Sequence, residues 1–253
     1  MSDLISTDAA TPQSVWFSLI SIIDKPQATF ARLTAYPRLK WVLPVVLSIV
    51  VLVISVWVTA PYSSELARQA AEQQWQAMGL PPEQVEEFRT QSARFNSPVA
   101  TGISGTVFGT LVLLLIWLGS AGLFYFTALI TGAELKFGSV FLVVTWSTLP
   151  LTLRTLIQTI YTAITGTFPV YSGLSALQVT GDIAKDSTNP LIAVLSYIDP
   201  FWIWHLVLLI IGLSVVTKFS KIKTFFMVLV YVLVAIGLGV VPVLLARMFS
   251  FGG

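Results

Sequence analysis

The sequence contains no cysteine and only one histidine, His205, in 253 residues. The first absence excludes a disulfide framework, Cys-ligated zinc, a cysteine-held iron–sulfur cluster and a thiol nucleophile. The second leaves His205 without a companion for a metal site or a histidine-based triad, and no phosphate-loop or dinucleotide fingerprint is present. No catalytic residue, metal or cofactor is therefore expected, and the chain reads as non-enzymatic. Charge is scarce as well: 10% of residues are Asp, Glu, Lys or Arg, against about 25% in soluble domains, while 55% are hydrophobic. With a mean hydropathy of +0.84, the chain has too few polar groups to cover a water-facing globule. Lipid must be part of its solvent. The fourteen basic residues form no run or stripe, which argues against nucleic acid as a partner.

What is present is a set of long apolar stretches. Crossing about 30 Å of hydrocarbon takes about 20 helical residues, and five stretches qualify. The first runs from Trp41 to Ala60 and is expected to stop at Pro61; because a long polar or amphipathic segment precedes it, it reads as a retained span rather than a cleaved signal. The second covers about Gly102 to Ile130, and the third runs from Lys136 through Trp146 and Pro150 to about Thr162, carrying Arg154. Phe201 to Thr217 is the fourth, short and holding His205, and Lys223 to Leu245 the fifth, with Gly237, Gly239 and Pro242 toward its end. The expected fold class is an all-α polytopic membrane helix bundle with about five transmembrane helices and an extra-cytoplasmic helical hairpin.

Orientation follows from Lys and Arg in the flanks, which favour the cytoplasmic side. Lys25, Arg32, Arg38, Lys40, Lys136, Lys218, Lys221 and Lys223 fall on one side, and Arg68, Arg89, Arg94, Lys185 and Arg247 on the other. This predicts the N-terminus inside, the C-terminus outside, and a multi-pass protein of a bacterial inner (cytoplasmic) membrane. Residues 1–40 form a cytoplasmic amphipathic segment in which Val15, Trp16, Leu19, Ile22 and Ile23 recur at helical spacing, with Pro26 starting a second short helix bearing Phe30 and Leu33. Such a segment either senses curvature or lipid composition or simply anchors the chain. Residues 41–253 form the membrane domain. Within it, 62–98 read as an outer hairpin: Ser63 or Ser64 caps a first helix ending near Gly79, and Pro82 with Glu83, Glu86 and Glu87 starts a second, with Val85, Phe88 and Phe95 near one face. The hydrophobic piece Leu191 to Ile198 is too short to span and reads as interfacial or re-entrant.

Arg154 is the most informative residue, because a charge at membrane depth is costly. It lies about 27 Å up the third span from Lys136 if the segment is helical. Asp199 and His205 enter from that same side in the fourth span, so a cluster of Arg154, Asp199 and His205 can join the two spans. The cluster is either a proton or anion site or a structural pair with Arg154 snorkelling to the headgroups. Pro150 removes a backbone hydrogen bond nearby, a feature that lines substrate sites in some transporters and only kinks most helices. Gly105 and Gly109 make a GxxxG in the second span, serving either packing within the chain or a seam with a second copy.

Two stretches carry a family resemblance. Thr131-Gly132 through Lys136-Phe137, then Trp146 and Pro150, resembles the third span of bacterial Yip1-domain proteins. Asp199 through Trp204, then Leu206 to Gly212 and Lys218 to Lys223, resembles that family's Asp-x-Phe-x-x-Trp, Leu-rich and Gly-Leu segment, and Lys25-Pro26 with Phe30 its opening. The resemblance implies a five-span fold with a cytoplasmic N-terminus and marks Gly132, Lys136, Trp146, Pro150, Asp199, Trp204 and Gly212 as family-like positions without assigned chemistry. Eukaryotic relatives are associated with vesicle traffic and Rab GTPases. The function expected is organisation of membrane lipids or recruitment of protein partners, alone or as a homo-oligomer. The alternative is a small transporter, flippase or channel with a cavity near Arg154, Pro150 and Asp199.

Overall fold

The computed structural model describes residues 16–35, 39–93, 95–181 and 183–250, the side chains of 183, 184 and 246–250 excepted. Val15, Arg38, Arg94 and the side chain of Arg247 lie outside the described residues. Helices account for nearly all of the described chain: α1 (Phe17–Asp24), α2 (Pro26–Ala35), α3 (Val42–Ala77), α4 (Pro82–Ala93), α5 (Pro98–Ile130), α6 (Phe137–Ser147), α7 (Leu149–Thr165), α8 (Ile183–Ser187), α9 (Pro190–Leu195), α10 (Pro200–Thr217) and α11 (Lys221–Ser250). Among the described residues, five helices are long and apolar enough to cross a membrane, α6 and α7 together making the third from Phe137 to Thr165. The protein is a multi-pass membrane helix bundle.

The first span does not stop at Pro61. The helix α3 runs on through it to Ala77, so the first arm of the hairpin is the continuation of the span itself. A proline inside a helix forfeits one ladder bond and costs about 3 kcal/mol. Beyond it the helix continues into turns where Arg68 pairs with Glu65 at 2.8 Å and with Glu72 at 3.8 Å. Ser63 and Ser64 do not cap a new helix; their hydroxyls donate back to the carbonyls of Thr59 and Pro61. At Gly79 the chain takes a positive φ of 65°, and α4 returns along α3. Trp75 stacks on Phe88 with centroids 6.1 Å apart, and Arg89 reaches Glu72 at 3.4 Å. One ring stack and one ion pair join the two arms, while no residue of α4 is buried and Phe88 and Phe95 stay exposed.

The register of α3 against the third span determines what happens at the opposite end. Ser48 Oγ lies 2.7 Å from Thr152 Oγ1, and Trp146 Nε1 donates to the Lys40 carbonyl at 3.1 Å. The start of α3 thus stands level with the α6–α7 junction, and about ten residues, or about 15 Å at 1.5 Å per residue, of the bundle's lower part lack this span. Helices α1 and α2 occupy that level, α2 packing on α10 and α6. Ile22, Phe30 and Leu33 are fully buried in the same core as Trp146, Val143 and Leu213. The segment 16–35 and the spans accordingly share one core, and residue 40 marks a change of environment within it. Burial holds the Lys40 ammonium below its ordinary value, with repulsion from Arg32 adding to the effect. Trp146→Phe removes the indole N–H that donates to the Lys40 carbonyl, so it is expected to lower stability by about 1 kcal/mol in a detergent unfolding titration.

Glycines set the close approaches. Gly105 and Gly109 face Val56 and Leu52 of α3, so a Cβ on Gly105 would come to 2.9 Å of Val56 Cγ1. The GxxxG face is used within the chain. Gly132, at a φ of 90°, ends α5, where Lys223 Nζ donates to the Thr131 carbonyl at 2.9 Å. Lys136, Lys218, Lys221 and Lys223 all lie at this end of the bundle, which is called the basic end below.

Candidate functional site

Helix α10 begins at Asp199 because its carboxylate replaces the missing helical acceptors: Oδ1 takes N–H bonds from Phe201 at 2.9 Å and Trp202 at 3.1 Å. The same oxygen stands 3.6 Å from Arg154 Nη1 across the interface with α7. Arg154 keeps about a quarter of its side chain exposed (26%) while Asp199 keeps 9%, so the pair sits at the edge of the protein. Arg154 Nε is buried and without a hydrogen-bond partner among the described residues.

The structure brings Arg154 and Asp199 together and turns His205 elsewhere. His205 is buried, with Nδ1 donating to the Ser147 carbonyl at 2.7 Å. That leaves Nε2 as the acceptor of the neutral ring, 3.4 Å from Tyr231 Oη. Ser147 is the last residue of α6, just before the interruption at Thr148 and the buried Pro150, which has no N–H to offer Trp146. His205 thereby stitches the broken third span to the fourth and, through Tyr231, to the fifth. Among the other family-like positions, Trp204 packs against the main core and Gly212 lies under Phe30 and Val143. Lys136 is exposed at the N-cap of α6.

A cavity of about 370 Å³ lies at the centre of the bundle, with walls from all five spans. Val51, Leu52, Leu113, Leu151 and Leu209 supply its apolar wall, and Ser48, Ser55, Ser120 and Thr155 its hydroxyls. Trp117 lines it, fully buried, and its Nε1 has no hydrogen-bond partner among the described residues. Neither Arg154, Pro150 nor Asp199 belongs to this lining. Sequence reading missed the cavity, since its lining comes from six helices with no shared motif.

A second feature it missed is Asp186. Its carboxylate accepts from Thr180 N at 3.0 Å, Thr180 Oγ1 at 2.7 Å, Gly181 N at 3.2 Å and Tyr171 Oη at 3.0 Å. These bonds, the Thr180 amide first, hold it below the ordinary carboxylate range despite burial. Asp186 organises the loop between the third and fourth spans. The helix α9 beside it packs on α11, and Tyr197 Oη donates to the Ala235 carbonyl at 2.9 Å in the space Gly239 leaves. The Leu191 to Ile198 piece thus lies against the fifth span and abuts the short fourth.

Comparison with curated proteins and with solved structures finds no match. The Yip1 domain family, by contrast, matches residues 20–244, from inside α1 to near the end of α11. With four spans, nearly all of the fifth and most of the N-terminal helical pair inside that match, the chain belongs to the Yip1-domain family.

Proposed function

We propose that the protein organises bilayer lipids, without catalysing a reaction, through the helical pair α1–α2 wedged beside the basic end of the bundle. The observation that carries this reading is the division of α1 into two faces. Ile22 is buried against the core, whereas Trp16, Phe17, Ile20 and Ile23 are exposed on the other side. An apolar helical face held at that level inserts among the lipids of one leaflet, because the short reach of α3 leaves the pair there instead of a span. The basic end faces the cytoplasm on the strength of Lys136, Lys218, Lys221 and Lys223, which puts the α3–α4 hairpin outside a bacterial cytoplasmic membrane. The same exposed face is available to a protein partner or a second copy. Transport is the weaker reading, since Arg154, Pro150 and Asp199 lie outside the cavity lining.

Reconstitution tests this. Vesicles containing the protein are expected to be smaller than protein-free vesicles by electron cryomicroscopy. The triple variant Trp16→Ser, Ile20→Ser, Ile23→Ser, whose core-facing residues are untouched, should return them to the protein-free size. Equal sizes with and without the wild-type protein would refute the proposal.

A further inference from the structure

We propose that the central cavity binds a neutral molecule dissolved in the hydrocarbon core, one with an apolar body and a carbonyl oxygen that accepts from Trp117 Nε1. This site is independent of the bilayer-shaping reading, since none of its lining lies on α1 or α2.

The lining selects the ligand by what it offers and what it has already used. At about 370 Å³ the cavity falls within the range of small-molecule sites, about 300–1,000 Å³. No Asp, Glu, Lys or Arg lines it, so a charged headgroup would enter unpaired. Most of its polar groups are already engaged: Ser48 with Thr152, Thr148 with the Thr145 carbonyl, Thr155 with the Leu151 carbonyl, and His205 at both nitrogens. Trp117 Nε1 is different. It can only donate, it is fully buried, and it has no acceptor. A buried donor left unmade costs about 1–3 kcal/mol, and inside a bilayer water does not readily supply the acceptor. Nε1 has no accessible surface in this structure, so a carbonyl oxygen reaches it only as the side chains enclosing it shift, and a ligand that does so recovers that loss.

Depth narrows the class. Trp117 lies thirteen residues from Ile130, the basic end of α5, or about 20 Å along the helix. An ionic headgroup tethered to the surface does not follow a chain to that depth, whereas a neutral carbonyl compound does. Entry is from the lipid: Ile116, on the cavity wall, is half-exposed on the membrane-facing surface of α5. Two membrane-soluble sources share this chemistry, an isoprenoid quinone with ring carbonyls and a diacylglycerol with ester carbonyls.

The test uses the full-length protein in detergent micelles, titrated separately with a short-chain prenyl quinone, dioleoylglycerol and hexadecane and read by native mass spectrometry. One or both carbonyl compounds should bind saturably at one per chain, and which of them binds assigns the source. Hexadecane, of similar apolarity and without an acceptor, should bind at least tenfold more weakly. Trp117→Phe keeps an aromatic ring, smaller than the indole, and removes the donor, and should weaken binding about tenfold. Ser55→Leu fills the cavity from its α3 wall and should abolish binding, and it keeps the proposal open to refutation if Trp117→Phe does not fold. Absence of saturable binding by both carbonyl probes, hexadecane binding as tight as theirs, or unchanged affinity in either folded variant would overturn it.

Discussion

Asp199→Ala is expected to lose about 3 kcal/mol of stability, whereas Asp199→Asn loses about 1 kcal/mol. Two contributions separate in this pair. The carboxylate caps α10 by accepting from Phe201 and Trp202, and an asparagine oxygen keeps that acceptor at nearly equal strength. It also faces Arg154 at 3.6 Å, and only the charged residue keeps that attraction. Removing one member of a fully buried pair costs about 3–5 kcal/mol; with a quarter of the arginine exposed, solvent screening brings this pair well below that range. Alanine forfeits both contributions and strands two amide donors at the entrance of the shortest span. Equilibrium unfolding in mixed micelles with increasing denaturing detergent reads the difference. Equal losses in the two variants would make the cap idle, and a negligible loss in Asp199→Ala would defeat the account of why the fourth span starts there.

Gly212→Ala should cost about 3 kcal/mol and loosen the N-terminal helices selectively. A Cβ at this position would stand 2.6 Å from Val143 Cγ1 and 3.1 Å from two atoms of the Phe30 ring. The Val143 contact strains α10 against α6, where the core holds Val143 in place, and the Phe30 contact is relieved by outward movement of α2. Gly105→Ala provides the comparison: its one short contact, 2.9 Å to Val56 Cγ1, is with a single side chain on α3, and a loss of about 1 kcal/mol is expected there. Thermal unfolding reads the two losses. Limited proteolysis distinguishes their origin, because Gly212→Ala alone should speed cleavage within the first forty residues. Equal cleavage rates would mean that α2 is not seated on Gly212.

These two sites mark where the sequence was readable. Opposite charges at matching depth on adjacent antiparallel spans are few in so apolar a chain, so Arg154 and Asp199 could be matched by counting residues from Lys136. Counting cannot find the partner of His205, because that partner is the carbonyl of Ser147, and every residue carries a carbonyl. Helical periodicity identified apolar positions in α1 and α2 without separating those that face protein from those that face lipid. Ile22 and Ile23 are neighbours in the chain and have opposite environments. Pro61 misled for a related reason. A proline marks a boundary in an isolated helix, but a long helix anchored on both sides absorbs the lost bond and continues. The cavity was invisible because its shape depends on the register of α3 against α7, set by contacts such as Ser48 with Thr152.

The late start of α3 has a consequence for how the chain assembles during synthesis. Phe30 and Leu33 leave the ribosome before the surfaces that bury them, which belong to α6 and α10, and Gly212 follows Phe30 by about 180 residues. Closing so long a loop adds little to the equilibrium cost but delays the contact, because loop entropy rises only logarithmically while the partners must first exist. Helices α1 and α2, made well before those surfaces, are therefore late to find their place, and their docking reports that the fourth span has been inserted.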